Sequence, residues 1–286
     1  MTPILIQVTV NWIMMSLIYC LTAMGLTLIY GVMGILNFAH GAFYMLGGYV
    51  IYYAFVMLGL PYPAGLVSAF LLIGFLGVLV YRGLLRYFRE QIMICLIITV
   101  GLNSIFENVS CLIFSGYEKA VPPLTSGIVR GPLGVSLSAE RLMIMFAALI
   151  LMLTLLFFMG KSKQGRFLRA VAEDAEAAML CGLNDENTFL LGMFIASGLA
   201  GIAGALMAPI FSVGPYIGTE ITLNSFIVIL VGGAGSILGA LVGSFVLGLV
   251  TSFGSTFLGG DVATMMSFAL LILVMVFKPR GLLGGI

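Results

Sequence analysis

The sequence predicts an all-α polytopic membrane protein of about eight or nine transmembrane helices, some of them broken by glycine. Three observations carry that prediction. The 286 residues are 62% apolar and only 8% charged, with a mean hydropathy of +1.22, whereas a soluble domain carries roughly 25% charged residues. Apolar runs near the ~20 residues needed to cross a bilayer as a helix recur along the whole chain, so residues 1–286 read as one transmembrane domain with no room for a soluble catalytic one. Two stretches, near 31–48 and near 218–240, are too rich in glycine and polar groups for plain lipid-facing helices. Irregular backbone at membrane depth is tolerated only where protein or water covers it.

The first apolar run, from about Trp12 to Tyr30, lacks the basic lead and small-residue cleavage site of a secretory signal, so it is expected to stay as a span. Asn37, His40 and Gly41 then predict a broken or tightly packed segment lining the interior. His40 is the only histidine. With no carboxylate near it in sequence it reads more readily as a buried hydrogen-bonded group than as a metal ligand, and a proton-carrying role stays open. A second span covers about Ala42 to Leu60, a turn follows from Leu60 to Pro63, and a third span runs from Ala64 to Tyr81 and is closed by Arg82, Arg86 and Arg89. The fourth span, Ile92 to about Phe114, places Asn103 and Glu107 on one helix face. A carboxylate at that depth is costly unless paired or beside water. Glu107 is therefore either a structural hydrogen-bonding group or one that meets the amino group of a substrate.

Residues 116–140, with Pro122, Pro123, Gly127, Gly131 and Pro132, form a loop longer than a usual connection, for which an external docking role is expected. The fifth span is Leu142 to Met159. The sixth, about Phe189 to Phe211, carries a small-residue stripe of Ser197, Gly201 and Ala205 that suits close helix contact. After a turn at 212–218, a short apolar stretch at 221–233 stops at Gly232 and Gly233. Two further spans, Ser236 to about Phe257 and Val262 to Phe277, precede Lys278, Pro279 and Arg280. The glycine-broken elements occupy corresponding places in the two halves, which suggests inverted repeats whose broken helices line a path. Asn37, His40, Asn103, Glu107, Gly232 and Gly233 are the candidate path residues.

The densest charge lies in 160–187, between two spans. Leu168, Ala172, Ala175 and Met179 recur at helical steps, so Arg166 to Met179 predicts one short amphipathic surface helix, stopped by Gly182, with Asn184 as the next N-cap. Placing this segment, the Arg82 to Arg89 loop and the tail in the cytoplasm leaves only Lys119, Arg130 and Arg141 outside, the orientation that the positive-inside rule favours. Cys20, Cys95, Cys111 and Cys181 have no metal or redox spacing. No Gly-x-x-x-x-Gly-Lys-Ser/Thr loop occurs, so the chain is not expected to be an enzyme or to hydrolyse ATP. A net charge of +1 gives no reason to expect nucleic acid as a partner.

Three motifs, in order along the chain, add to this reading: GLTLIYGVMGILNFAHG at 25–41, GRFLRA at 165–170 followed by Ala178 and Gly182-Leu183, and FIVILVGGAGSILGALVG at 226–243. They resemble the inner-membrane permease family of bacterial branched-chain amino acid ABC importers, in its shorter, H-type form. The resemblance implies an ABC importer permease fold, multi-pass in the bacterial inner membrane. It implies partners as well: a second, longer permease, two cytoplasmic ATPase subunits and a periplasmic substrate-binding protein. ATP and Mg would belong to the ATPases, with no cofactor in this chain. It assigns Gly165, Arg166, Arg169, Ala170, Ala178 and Gly182 to coupling with the ATPase. Urea or short amides are the alternative substrates. A secondary transporter is the less favoured alternative, because Glu107, Glu220, Asp261 and His40 are sparse for a self-contained coupling device.

Overall fold

The structure, a computed structural model, describes residues 2–125, 127–130, 136–183 and 185–283. Helix α1 (Thr2–Met33) leads into α2 (His40–Ile51), which continues as a π-helical turn, Tyr52–Met57. Next come α3 (Tyr62–Gly83), a 3-10 turn at Leu85–Phe88 and α4 (Ile92–Phe114). A small antiparallel hairpin, β1 (Ile128–Arg130) with β2 (Ser136–Ser138), lies inside the 116–140 loop and pairs Ile128 with Ser138. Helices α5 (Ala139–Lys161), α6 (Lys163–Glu173), α7 (Ala175–Leu180), α8 (Asp185–Met207), α9 (Ile217–Gly232), α10 (Ile237–Phe257) and α11 (Gly260–Phe277) complete the chain. Among the described residues seven helices are long and apolar enough to cross a membrane: α1, α3, α4, α5, α8, α10 and α11. The two glycine-broken elements of the sequence, α2 with its π turn and α9, are the shorter helices between them.

Burial separates the helices into a centre and a periphery. In α1 and α8, 83% of the apolar window is covered, against 11% in α4 and 17% in α11. A helix that is apolar all round belongs in an interior, and α1 is such a helix. In a bilayer, helices gain little from hiding apolar surface, since the tails are apolar too, so association depends on close packing. The stripe on α8 supplies it. A Cβ placed on Gly77 of α3 would lie 1.8 Å from Ser197 Oγ, and one on Gly201 would lie 2.8 Å from Ile73 Cβ. Tyr62 Oη donates to the Ala205 carbonyl at 2.8 Å.

The expected break after the first span is a re-entrant turn. Gly34 takes φ +66, and Asn37 Oδ1 accepts from the Ala39 amide at 3.0 Å. The chain then climbs back, so that His40 meets the Thr22 carbonyl in the middle of α1, roughly 16 Å above Met33 at 1.5 Å per residue. The helix after the break, α2, thus starts at His40, two residues before the second span expected from Ala42. Its N-terminus abuts that of α9, where a Cβ on Gly41 would lie 1.8 Å from the Gly218 carbonyl oxygen.

The basic groups gather at one end of the bundle. Arg86 pairs with Glu186 at 2.8 Å, Arg89 lies over the Phe189 ring, and the tail joins α9 as Leu282 and Leu283 amides donate to the Val231 and Gly232 carbonyls at 2.8 Å. At the other end Lys119 bridges Val213, and Ser212 donates to Glu118. The hairpin departs from the plain loop expected over 116–140; Gly131 and Pro132 lie outside the described residues.

Candidate functional site

Two constellations hold the residues singled out by the sequence. The first is the surface segment, where the single helix expected over 166–179 is corrected to two helices. Asp174 takes an extended conformation, φ −155 and ψ 103, and its carboxylate accepts from the Ala177 amide at 2.9 Å. A short polar side chain that can cap a new helix competes with continuing the old one. The break resets the helical phase and moves the buried face: Gly165, Leu168 and Val171 of α6 and Ala178 of α7 are buried. Of the expected face only Leu168 is covered; Ala175 is half-buried, and Ala172 and Met179 are exposed.

This elbow is held tightly to α5. Ser162 Oγ caps α6 by accepting from the Gly165 amide at 2.8 Å, and a Cβ on Gly165 would lie 2.3 Å from the Phe158 carbonyl oxygen. Arg166 donates to the Lys161 carbonyl at 3.1 Å and Arg169 to that of Gly160 at 3.4 Å, cations at the end of α5 where the helix dipole favours them. Ala170 is half-buried beside them. Gly182, at φ +83, closes α7. Its amide donates to the Met179 carbonyl and that of Leu183 to Ala178, a glycine-terminated helix end. The tip left outward is apolar, with Leu180 89% and Met179 44% exposed. Asn184, expected as the following N-cap, lies outside the described residues.

The second constellation surrounds the first turns of α9. Asn103 Nδ2 donates to Glu107 Oε1 at 3.0 Å and to Thr219 Oγ1 at 3.2 Å, and Thr219 Oγ1 donates to the same carboxylate oxygen at 2.6 Å. These bonds tie α4, sparsely packed otherwise, to α9. Three residues on, Thr222 Oγ1 accepts from the Gly41 amide at 2.9 Å and donates to the Gly218 carbonyl at 3.0 Å. Deeper still, Ser225 and Thr22 hydroxyls meet at 3.0 Å, and the Thr22 carbonyl accepts from His40 Nε2 at 2.9 Å. A carbonyl can only accept, so Nε2 is the nitrogen that donates in this bond. Among the described residues, His40 Nδ1, Asn37 Nδ2 and Asn103 Oδ1 are buried without a hydrogen-bond partner.

The structure therefore brings Asn103, Glu107 and His40 to one region through α9, with Asn37 on the turn that leads into it. It does not bring Gly232 and Gly233 there. They close the opposite end of α9, where a Cβ on Gly232 would lie 2.0 Å from the Gly239 carbonyl oxygen and Gly233 takes φ +114. Thr219 and Thr222, which connect the group, were not among the sequence candidates. The signal was present in their spacing with Ser225, a polar face within an apolar run.

Residues 8–275 match the family described as branched-chain amino acid transport system / permease component. The chain is 33% identical over 297 residues to the high-affinity branched-chain amino acid transport system permease protein LivH of Salmonella typhimurium, covering 98% of this chain and 95% of that relative. It is 33% identical over 296 residues to the corresponding permease protein BraD of Pseudomonas aeruginosa, with the same coverage. It is 26% identical over 284 residues to a probable branched-chain amino acid transport permease protein LivH of Methanocaldococcus jannaschii, with 95% and 90% covered. No solved structure matches.

Proposed function

The chain belongs to the branched-chain amino acid transport permease family, and on that premise we propose that it is the transmembrane permease subunit of an ATP-driven importer for branched-chain or related amino acids in the bacterial inner membrane. A second permease completes the translocation path with it. Two cytoplasmic ATPase subunits supply the energy, and a periplasmic binding protein delivers the substrate to the end bearing the 116–140 loop.

The observation that carries this reading is the α6–α7 elbow. Its inner face is packed against the spans and its apolar tip, Met179 and Leu180, stands free beside the basic end of the bundle. A cytoplasmic subunit with an apolar groove would cover that tip, while Arg166 and Arg169 hold the elbow to α5 so that a push on it reaches a span. A self-contained transporter would have no use for such a handle.

Tagged protein purified from cells expressing the neighbouring genes should bring down an ATPase and a second permease in fixed stoichiometry. Reconstituted with the binding protein, the complex should accumulate leucine, isoleucine or valine only when ATP is present on the ATPase side. Accumulation driven by an ion gradient without any ATPase would overturn the proposal, and uptake of urea or short amides in preference to amino acids would move it to the alternative substrate class.

A further inference from the structure

At the end of the bundle opposite the basic groups, a cavity of about 380 Å3 opens between α1, α9, α10 and α11, within the range of roughly 300–1,000 Å3 typical of small-molecule sites. Two opposite charges line it. Glu220 lies in the first turn of α9 and Arg141 near the start of α5. No ion pair joins them among the described residues. Arg141 Nη1 instead donates to Asn11 Oδ1 at 2.7 Å, a neutral partner that orients the guanidinium and leaves its charge uncancelled. Glu220 accepts no hydrogen bond among the described residues, and Asn224, one turn further along α9, lines the same space. Met15, Leu223 and Phe268 supply apolar wall.

Charges left unpaired in a membrane protein mark a watery route or a ligand of complementary charge. Here both signs share one small chamber with an apolar wall, which is the pattern of a molecule carrying both charges and an aliphatic body. We propose that the cavity is a transit site for a free zwitterionic α-amino acid: Glu220 and Asn224 receive the ammonium group, Arg141 the carboxylate, and Met15, Leu223 and Phe268 the side chain. Arg141 suits the carboxylate because its planar guanidinium fork matches one. The proposal rests on the importer reading above and adds to it that the permease itself recognises both charged ends of the substrate. Urea and short amides have no such ends.

The test uses the complete reconstituted complex. Wild type must first take up radiolabelled leucine with ATP; if it does not, and no amino acid replaces leucine, the importer reading fails and this one with it. With wild type active, Glu220→Gln and Arg141→Gln should each lower maximal uptake at saturating binding protein by about tenfold or more at normal yield of assembled complex. In a second arm, with Cys111 and Cys181 replaced by serine, the thiol introduced by Ser255→Cys, which lines the same cavity and has no part in the proposed recognition, is reacted with a charged methanethiosulfonate in the assembled complex. Leucine should slow that reaction, and 4-methylpentanoate, which lacks the ammonium group, should not. Thr264→Cys, on the same wall, serves the same reading if position 255 does not tolerate cysteine. Uptake within twofold of wild type in both glutamine variants, or equal modification rates with and without leucine, would overturn the site while leaving the importer reading intact.

Discussion

Replacing Gly41 by alanine tests the packing on which the interior depends. The added Cβ would sit 1.8 Å from the Gly218 carbonyl oxygen and 2.2 Å from Thr222 Oγ1. Backbone is the obstacle, and it cannot swing aside as a long side chain would, so the starts of α2 and α9 must separate by more than 1 Å to restore an ordinary contact of about 3.3 Å. Overpacking of this kind costs about 1–3 kcal/mol. The same movement stretches the 2.9 Å bond from the Gly41 amide to Thr222, which adds about 1 kcal/mol. The expected loss is about 2–4 kcal/mol. At roughly 2–4 °C per kcal/mol for a chain of this size class, the apparent unfolding midpoint of the purified protein in detergent should fall by at least about 4 °C, read by size-exclusion after heating. Gly101→Ala is the control. It lies on exposed α4 with nothing among the described residues within 4 Å of its would-be Cβ, and helix propensity favours alanine there by up to about 1 kcal/mol. If Gly41→Ala melts within a degree of wild type and transports normally, the two helix starts do not pack as described.

Glu107→Gln keeps an acceptor for Thr219 and Asn103 and should preserve assembly, whereas Glu107→Leu strands both donors and should lower stability by about 1–3 kcal/mol; equal melting of the two variants would show that these bonds carry no weight. Gly233→Leu puts a side chain at φ +114 where the backbone of Gly281 approaches, so it should cost at least about 1–2 kcal/mol and loosen the tail, measured as faster proteolysis after Lys278; unchanged cleavage would contradict the tail contact. Ala178→Trp adds bulk at a position 5% exposed and should leave insertion intact while abolishing recovery of an ATPase on purification; full coupled transport in this variant would leave α6 and α7 as a solvated connection.

Spans were legible wherever apolar residues ran without interruption, because length and hydropathy alone decide them. The start of α1 was missed by ten residues' worth of weaker hydropathy, since Thr9 and Asn11 look like loop residues until Thr9 is seen bonded to the Leu5 carbonyl and Asn11 to Arg141. The break at Asp174 was misread for a different reason. Helical spacing on both sides was good, and only the capping bond to Ala177 shows that the aspartate ends one helix and begins another. The polar group on α9 was half legible. Glu107 and Asn103 stand out in an apolar run, but Thr219 is more than a hundred positions away from them and resembles any helical threonine. Glu220 looked isolated because its cavity neighbours come from α1, α5, α10 and α11.

What unites these elements is that α9 is fixed at both ends by contacts with almost no side chain in them. At its start Gly218 rests on Gly41, and at its finish Gly232 rests on Gly239 and Gly233 on Gly281. Side chains absorb displacement by changing rotamer, whereas backbone against backbone does not. Gly31, near the end of α1, stands at the same junction: a Cβ there would lie 3.7 Å from Ala172 Cβ on α6 and 3.8 Å from the Gly235 carbonyl oxygen after α9. The surface elbow and the end of α9 thus share one small residue as neighbour. A displacement of α6 meets α1 and the α9–α10 turn together, and the helix it reaches carries Thr219, Glu220, Thr222 and Asn224 at its other end.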